Sequence, residues 1–257
     1  MITQSTNSVL RKYSRCLLLH KPDKPKLFGF RFLPHLCRVN LAKEIYLLVR
    51  KEILLEWRQK YALSGILLYV LSTVFIVFIA SVQPKREVWN SLFWIIVLFA
   101  SINAVTKSFV QENGNRQLYF YSMFNPLAVL LSKMLYNTGL LLLLSFLSWA
   151  AFSFVSGGQV KDAQQFFWAL FLGSTGFSVT FTFISAIASK AKNSATLMAI
   201  LGFPLIIPVL LILLKISANA LRLMQDTDVG SDMLLLVGLD LALIGMGILL
   251  FPYLWRD

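Results

Sequence analysis

The side chains that carry much of enzyme chemistry are scarce in this sequence and are confined to its beginning. It contains two cysteines and two histidines, and all four lie within the first forty residues: Cys16, His20, His35 and Cys37. These four residues do not have the spacing of a zinc site, so we predict no metal centre. After residue 40 the chain can therefore form neither a disulfide nor a site in which histidine activates a nucleophile.

Charge is scarce as well. Charged residues make up 14% of the chain, well below the roughly 25% of soluble domains, whereas hydrophobic residues make up 57%. This composition predicts a polytopic membrane protein and leaves no room for a large soluble domain. The sequence also lacks a run of the form G-x-x-x-x-G-K-[ST], so we do not expect it to bind ATP through a P-loop.

Basic residues outnumber acidic ones by 24 to 12, yet their distribution does not indicate a nucleic-acid partner. Thirteen of the 24 precede residue 61, and the others are not arranged as one binding face. Residues 1–40 are basic, contain three prolines and show no sustained period. We interpret these residues as a disordered tail, and residues 41–257 as a single membrane domain.

Six apolar runs follow one another along this domain, and each is about long enough to cross a bilayer as a helix. They cover approximately residues 62–82, 91–109, 134–155, 166–188, 194–214 and 233–254. Residues 41–60 before them combine apolar and basic positions with a helical period, which predicts a helix lying at the membrane surface. The expected fold is therefore all-α, with six transmembrane helices preceded by an interfacial amphipathic helix.

The orientation of these spans follows from their number and from the basic residues. Six spans put both ends of the chain on one side of the membrane. Nineteen of the 24 lysines and arginines then lie on that side, and five lie on the other. Because cations accumulate in cytoplasmic segments, both termini are predicted to be cytoplasmic.

The fifth run, SATLMAILGFPLIIPVLLILL, has two prolines in its centre. Pro204 and Pro208 lie one helical turn apart, just after Gly202, and a proline inside a helix frees a carbonyl and tends to kink the axis. In lipid, neighbouring groups must satisfy such carbonyls, so we expect this helix to be buried among others. A kinked anchor helix and a helix that shapes a translocation path both remain open.

Polar residues inside two other spans are further candidates. Ser174, Ser178 and Thr182 recur at helical spacing in the fourth span, and such hydroxyl faces usually pack one helix on another. The alternative is that they line a substrate path. Asp240 lies within the sixth span and should face the bundle interior, either as a functional carboxylate or hydrogen-bonded to a hydroxyl.

Two segments on the predicted cytoplasmic side contain the remaining candidates. Glu52 and Glu56 lie one turn apart and interrupt the apolar arc of the surface helix. They repel each other, so we expect them to be solvated unless a partner cation lies nearby. The polar connection of residues 111–133 contains Glu112, Gly114 and Pro126. Within it, the pair Asn125–Pro126 predicts the beginning of a helix.

Three stretches of this chain resemble the CcmB family, the membrane subunits of the haem-exporter ABC complex of cytochrome c maturation. They are KEILLEWRQK before the first span, the order Glu112, Gly114, Leu118, Pro126, Lys133 in the connection, and FPLIIPVLLI in the fifth span. The resemblance covers about residues 41–257 and extends to ABC-2 type permeases in general. The connection departs from that pattern at residues 113–116, Asn-Gly-Asn-Arg, which are unusually polar.

The resemblance implies a mechanism for the cytoplasmic side. In ABC-2 type permeases this connection carries a short coupling helix that is seated on the nucleotide-binding subunit. A permease without an ATP site needs a rigid, exposed element that receives force from the subunit that has one. We therefore assign ATPase coupling as a hypothesis to five residues: Glu52, Glu56, Glu112, Gly114 and Pro126.

The resemblance also implies partners and a location. The chain would be a permease of a bacterial inner membrane, with ATP hydrolysed by a CcmA-type ATPase. CcmC- and CcmD-type membrane proteins, the haem chaperone CcmE and a second copy of the chain are the other expected partners. Haem would be a handled or transported substrate rather than a permanent cofactor, because the spans contain no histidine or cysteine to ligate its iron.

Two other functions stay open at this stage. One is an ABC-2 type permease for a different substrate, such as a lipid or a polysaccharide. The other is a stand-alone membrane enzyme built on Asp240 and Glu112. A neighbouring ATPase favours the permeases, whereas activity of the purified chain alone favours the enzyme.

The predicted orientation can be checked by thiol labelling of a variant that lacks Cys16 and Cys37. We expect Lys161→Cys and Asp228→Cys to react with an impermeant thiol reagent on intact spheroplasts. Asn193→Cys should react only after the membrane has been permeabilised. The reverse labelling pattern would place the surface helix and the 111–133 connection outside the cytoplasm and contradict a coupling role.

Overall fold

A computed structural model of the protein describes residues 41–58, 60–80, 85–110, 125–157, 160–189, 194–223 and 229–256. Within these ranges, helices are the only regular secondary structure. They are α1 (Leu41–Arg58), α2 (Lys60–Ala80), α3 (Arg86–Val110), α4 (Pro126–Ser156), α5 (Ala163–Ala188), α6 (Ser194–Ala220) and α7 (Val229–Arg256). Helix α1 is the predicted surface helix, and α2 to α7 follow the six apolar runs in order. The predicted tail, Glu112 and Gly114 lie outside the described residues.

Five of these helices, α3 to α7, are long and apolar enough to cross a membrane. The apolar part of α2 is shorter and covers Ser64–Ile79. The prediction of an all-α polytopic membrane protein is confirmed.

Helix α4 begins where the pair Asn125–Pro126 predicts a helix, and it continues without a break into the third span. The third span was expected from about residue 134, but one continuous helix runs from Pro126 to Ser156. At its beginning the Asn125 side chain accepts a hydrogen bond of 3.2 Å from the Leu127 backbone N–H. The proline at the first helical position has no backbone N–H that would need an acceptor. At its end Gly157 adopts a left-handed φ of 71°. Both ends of this helix are therefore defined by capping residues.

Helix α5 forms the centre of the bundle. It packs against α3, α4, α6 and α7. Of its apolar segment, 78% is buried inside the protein. Small and hydroxyl residues recur along it, and such residues let neighbouring backbones approach closely in a membrane. The position of α5 explains why it is the least lipid-exposed of the five long spans.

Helix α6, which contains both prolines, is less buried than predicted. Only 29% of its apolar segment is buried. Phe203 and Ile207 are half exposed, and Pro204 is exposed. Burial is confined to the opposite face, which includes Gly202 and Val209. The expectation that neighbours surround this helix is thus wrong for this chain by itself. One apolar face is enough to hold α6 on α5, and the prolines lie on or beside the open face.

Aromatic side chains fill the end of the bundle opposite α1. Trp89 stacks on Phe93 with ring centroids 5.6 Å apart and meets the edge of Phe152 of α4 at 5.6 Å. One turn further, the Trp94 indole N–H donates a hydrogen bond of 2.8 Å to the Ser217 hydroxyl of α6. Edge-to-face and offset ring pairs add stability beyond the burial of their area. This cluster therefore joins α3, α4 and α6 into a rigid unit.

The packing of α5 against Trp94 gives a test of this arrangement. A Cβ atom added at Gly173 would lie 2.8 Å from two carbon atoms of the Trp94 ring and 3.0 Å from Leu213. Because this ring is buried and hydrogen-bonded, we expect Gly173→Ala to destabilise the protein by about 1–3 kcal/mol. The measurement is the midpoint of thermal unfolding in mild detergent.

Gly139→Ala in α4 is the matched control, because no atom lies within 4 Å of a Cβ at that position. Both variants gain the same helix propensity. Equal unfolding midpoints for the two variants would show that α5 does not pack closely on Trp94.

Candidate functional site

Helix α1 packs on the first half of α4 and brings two charged side chains together there. The Lys133 amino group lies 3.5 Å from Oε1 of Glu52, and the side chains are 2% and 15% exposed. A lysine buried inside a membrane helix is costly unless a counter-charge lies beside it. The partner cation that Glu52 needs is therefore a lysine of the third span, and Glu52 is not a solvated residue.

Two more charged residues and a tyrosine complete this group. The Lys51 amino group lies 3.7 Å from the same Glu52 oxygen and is partly exposed. Tyr136, almost one turn after Lys133 on α4, has its hydroxyl within electrostatic reach of the Glu56 carboxylate, but this buried hydroxyl has no hydrogen-bond partner among the described residues. We call these five residues the Lys133 cluster. It contains two cations and two carboxylates, so its formal charge is balanced.

The outer face of α1 is apolar as well as basic. Tyr46 is 65% exposed, and Ile53 and Leu54 are about half exposed, while Arg50 is exposed on the same helix. This pattern fits a helix whose outer face lies in the headgroup region. Closer to the start of α1, burial raises the pKa of the Glu44 carboxyl, because its charged form loses water.

A row of hydrogen bonds joins α5 to α4 beyond the cluster. The Ser178 hydroxyl donates to the Met134 carbonyl at 3.0 Å, and the Asn137 side-chain amide donates to the Thr182 hydroxyl at 2.8 Å. Nearer the middle of the bundle, the Ser174 hydroxyl donates to another hydroxyl of α4 at 3.2 Å. The three predicted α5 hydroxyls thus all bind α4. Packing between α4 and α5 therefore explains the three hydroxyls. A role in lining a substrate path stays a prediction.

Asp240 of α7 lies inside the bundle against α5. It is 5% exposed, and one carboxyl oxygen accepts a hydrogen bond of 3.0 Å from the Thr175 hydroxyl. Among the described residues, its other oxygen, Oδ1, has no hydrogen-bond partner. A Cβ atom at Gly176 would lie 2.6 Å from that same oxygen. The missing side chain of Gly176 therefore creates the space that the carboxyl group occupies.

The structure brings together only some of the residues that the sequence singled out. Glu52 and Glu56 lie in the Lys133 cluster, Asp240 meets α5, and Pro126 is the first residue of α4. The prolines of α6 lie apart from these groups. Within the part of the chain that the structure describes, no three His, Cys, Asp or Glu side chains are grouped to hold a metal ion. Coupling roles and path roles for these residues stay predictions.

Sequence reasoning named Lys133 only as part of the family order in the connection, and it assigned no site role to Lys51, Tyr136, Asn137 or Thr175. A signal for Lys133 existed, because a lysine within an apolar helix requires a counter-charge and the surface helix has two glutamates on its apolar arc. Thr175 lies next to Ser174 and does not share the spacing of the hydroxyl row. Only the packing of α7 on α5 identifies it.

A family model described as "CcmB protein" matches residues 43–253. A search of curated proteins finds no match. The matched range includes α2 to α6, nearly all of α1 and all but the last residues of α7, so it contains each of the sites above.

The contact between Gly176 and Asp240 can be tested by a double-mutant cycle. We expect Gly176→Ala to lower the unfolding free energy by about 1–3 kcal/mol, because its Cβ would overlap the carboxyl group. In an Asp240→Ala background the same change should cost at least about 1 kcal/mol less. Thermal unfolding in detergent measures both effects.

Gly238→Ala in α7 is the control, since nothing lies within 4 Å of its Cβ. Its cost should be the same whether or not the carboxyl group of residue 240 is present. Strict additivity of Gly176→Ala and Asp240→Ala would mean that α5 and α7 do not meet at this contact.

Proposed function

Because the chain belongs to the CcmB family, the membrane components of haem-exporter ABC systems, we propose that it is a permease subunit that exports or delivers haem for c-type cytochrome biogenesis. It works in a bacterial inner membrane with both termini in the cytoplasm, as the distribution of its basic residues indicates. It is not an enzyme by itself. A separate CcmA-type ATPase hydrolyses the ATP, and CcmC- and CcmD-type proteins and the chaperone CcmE are the other partners.

The arrangement of α1 and α4 supports this proposal most directly. Helix α4 begins at Pro126 with an Asn125 cap, directly after the connection that we propose to be seated on the ATPase. Only seven residues later Lys133 binds Glu52 of α1. A capped helix end beside an attached surface helix is a stiff element, and a stiff element can transmit a displacement from the ATPase into the bundle.

Haem enters the proposal as substrate. Beyond residue 40 the chain has no histidine or cysteine, and these are the usual axial ligands of haem iron besides methionine and tyrosine. We therefore propose that haem is passed between partner proteins that ligate its iron, and that this subunit provides the energised conformational change. On this proposal purified chain retains no stoichiometric haem.

Reversing one charge of the connection tests the coupling to the ATPase. We expect Glu112→Lys to leave membrane abundance near normal, to reduce the recovery of the ATPase in a pull-down, and to abolish c-type cytochromes in a haem stain. The physical reason is that a charge left without its partner in a desolvated interface costs several kcal/mol.

Glu87→Lys is the control with the same charge change. Glu87 is exposed in the first turn of α3, at the predicted outer side, so this variant should recover ATPase and make cytochromes normally. Normal ATPase recovery and normal cytochromes with Glu112→Lys would mean that the connection only links two helices and has no coupling role. Cytochrome formation that survives deletion of the whole chain would refute the proposed function.

A further inference from the structure

The Lys133 cluster lies where the proposed ATPase contact meets the membrane bundle, and Lys133 itself has no assigned role. Lys133 is 2% exposed and lies in a helix that is otherwise apolar enough to cross the membrane. Its amino group is covered by α1, a helix that contacts the bundle mainly through α4 and, to a lesser extent, α2. The cluster is therefore a main attachment point of α1.

The ion pair has a property that the apolar contacts of α1 lack. Apolar burial is non-directional, so a helix held only by apolar contacts at a membrane surface is free to slide or rotate on its neighbour. A buried charge restricts the register, because α1 must keep Glu52, or Glu56 one turn further, beside Lys133 to avoid a buried lysine without a counter-ion. Leu48, which is 6% exposed, is the principal apolar anchor of α1, and Glu52 lies one turn after it.

The Glu52 carboxylate lies at similar distances from the amino groups of two lysines. Glu52 lies 3.5 Å from Lys133 and 3.7 Å from Lys51, whereas a charge-assisted hydrogen bond is about 2.7–2.9 Å long. Glu56 extends the acidic row by one turn, beside Tyr136. One carboxylate of α1 thus faces two lysines, one of which belongs to α4, and this contact ties the two helices together.

We propose that Glu52 and Lys133 are positioning residues for ATPase coupling: their ion pair holds α1 on α4, so that a displacement at the start of α4 moves the two helices together. This inference rests on the proposed function, because it assumes that the ATPase acts on the connection before Pro126. Glu52 then acts through Lys133 rather than by touching the ATPase. Lys133 lies about 10 Å along the helix from Pro126, at 1.5 Å per residue.

Three variants separate the charge pair from packing. Glu52→Gln leaves Lys133 without its carboxylate, Glu52→Lys with Lys133→Glu reverses the pair, and Glu52→Leu with Lys133→Met replaces it by apolar contacts. Replacing both partners of a buried ion pair by apolar residues often keeps stability, whereas removing one partner does not. The apolar double variant therefore preserves the fold while it removes the fixed register. Glu44→Gln on α1 is the matched control.

The first readout is the amount of haem-stained cytochrome relative to the ATPase recovered with the chain. We expect the reversed pair and Glu44→Gln to stay within about twofold of the unmodified chain. The apolar double variant should keep its abundance and its ATPase recovery but lose about tenfold in cytochrome formation. Cytochrome formation by the Glu52→Gln variant should fall by at least the same factor.

The second readout does not depend on transport. In chains without the native cysteines, Tyr46→Cys on α1 and Leu135→Cys on α4 place spin labels at two exposed positions. We expect one narrow distance distribution for the unmodified and the reversed pair, and a broader one for the apolar double variant. A merely structural role, in which packing alone holds α1, does not broaden this distribution.

Normal cytochrome formation by the apolar double variant, or an unchanged distance distribution, would overturn the inference. So would failure of the reversed pair to restore function when its abundance is normal. These outcomes leave the proposed function intact. The proposed function fails in a different way, when the unmodified chain recovers no ATPase or when its deletion leaves the cytochromes unchanged.

Discussion

A bilayer offers no hydrogen-bond partner to a polar side chain, and this constraint determines how the bundle is assembled. Three polar residues of the central helix α5 bind its neighbours: Ser178 and Thr182 bind α4, and Thr175 binds Asp240 of α7. Each such bond in a membrane protein contributes only about 0.6 kcal/mol on average. Their combined effect is to define which face of α5 meets which helix, something that apolar packing alone leaves loosely defined.

The same constraint applies more strongly to charge. Lys133 lies within a transmembrane helix and can remain there because Glu52 of α1 lies beside it. The lysine therefore requires α1 to be packed on α4, and α1 in turn covers the lysine. A helix that the sequence describes as a surface element thus becomes part of the bundle, and the end of the bundle next to the connection acquires the element that the proposed coupling mechanism needs.

The two ends of the bundle are built from different interactions. At one end, stacked and edge-to-face aromatic rings and the Trp94–Ser217 hydrogen bond hold α3, α4 and α6 closely together. At the other end, the apolar anchor Leu48 and the ion pair between Glu52 and Lys133 attach α1 to α4. For a subunit that we propose to be driven by an ATPase, this ion pair lies where the force would enter and ties the surface helix to α4.

The sequence alone determined the helical class, the order of the apolar helices and the presence of an amphipathic helix before them. Each of these depends on the composition and period of about twenty contiguous residues, and such local properties are read directly from the chain. Only the tertiary structure decided that α5 rather than the proline-containing α6 is central, and that Lys133 binds Glu52. These features depend on contacts between residues far apart in the chain, and burial, counter-ions and the space at Gly176 exist only once the helices have packed.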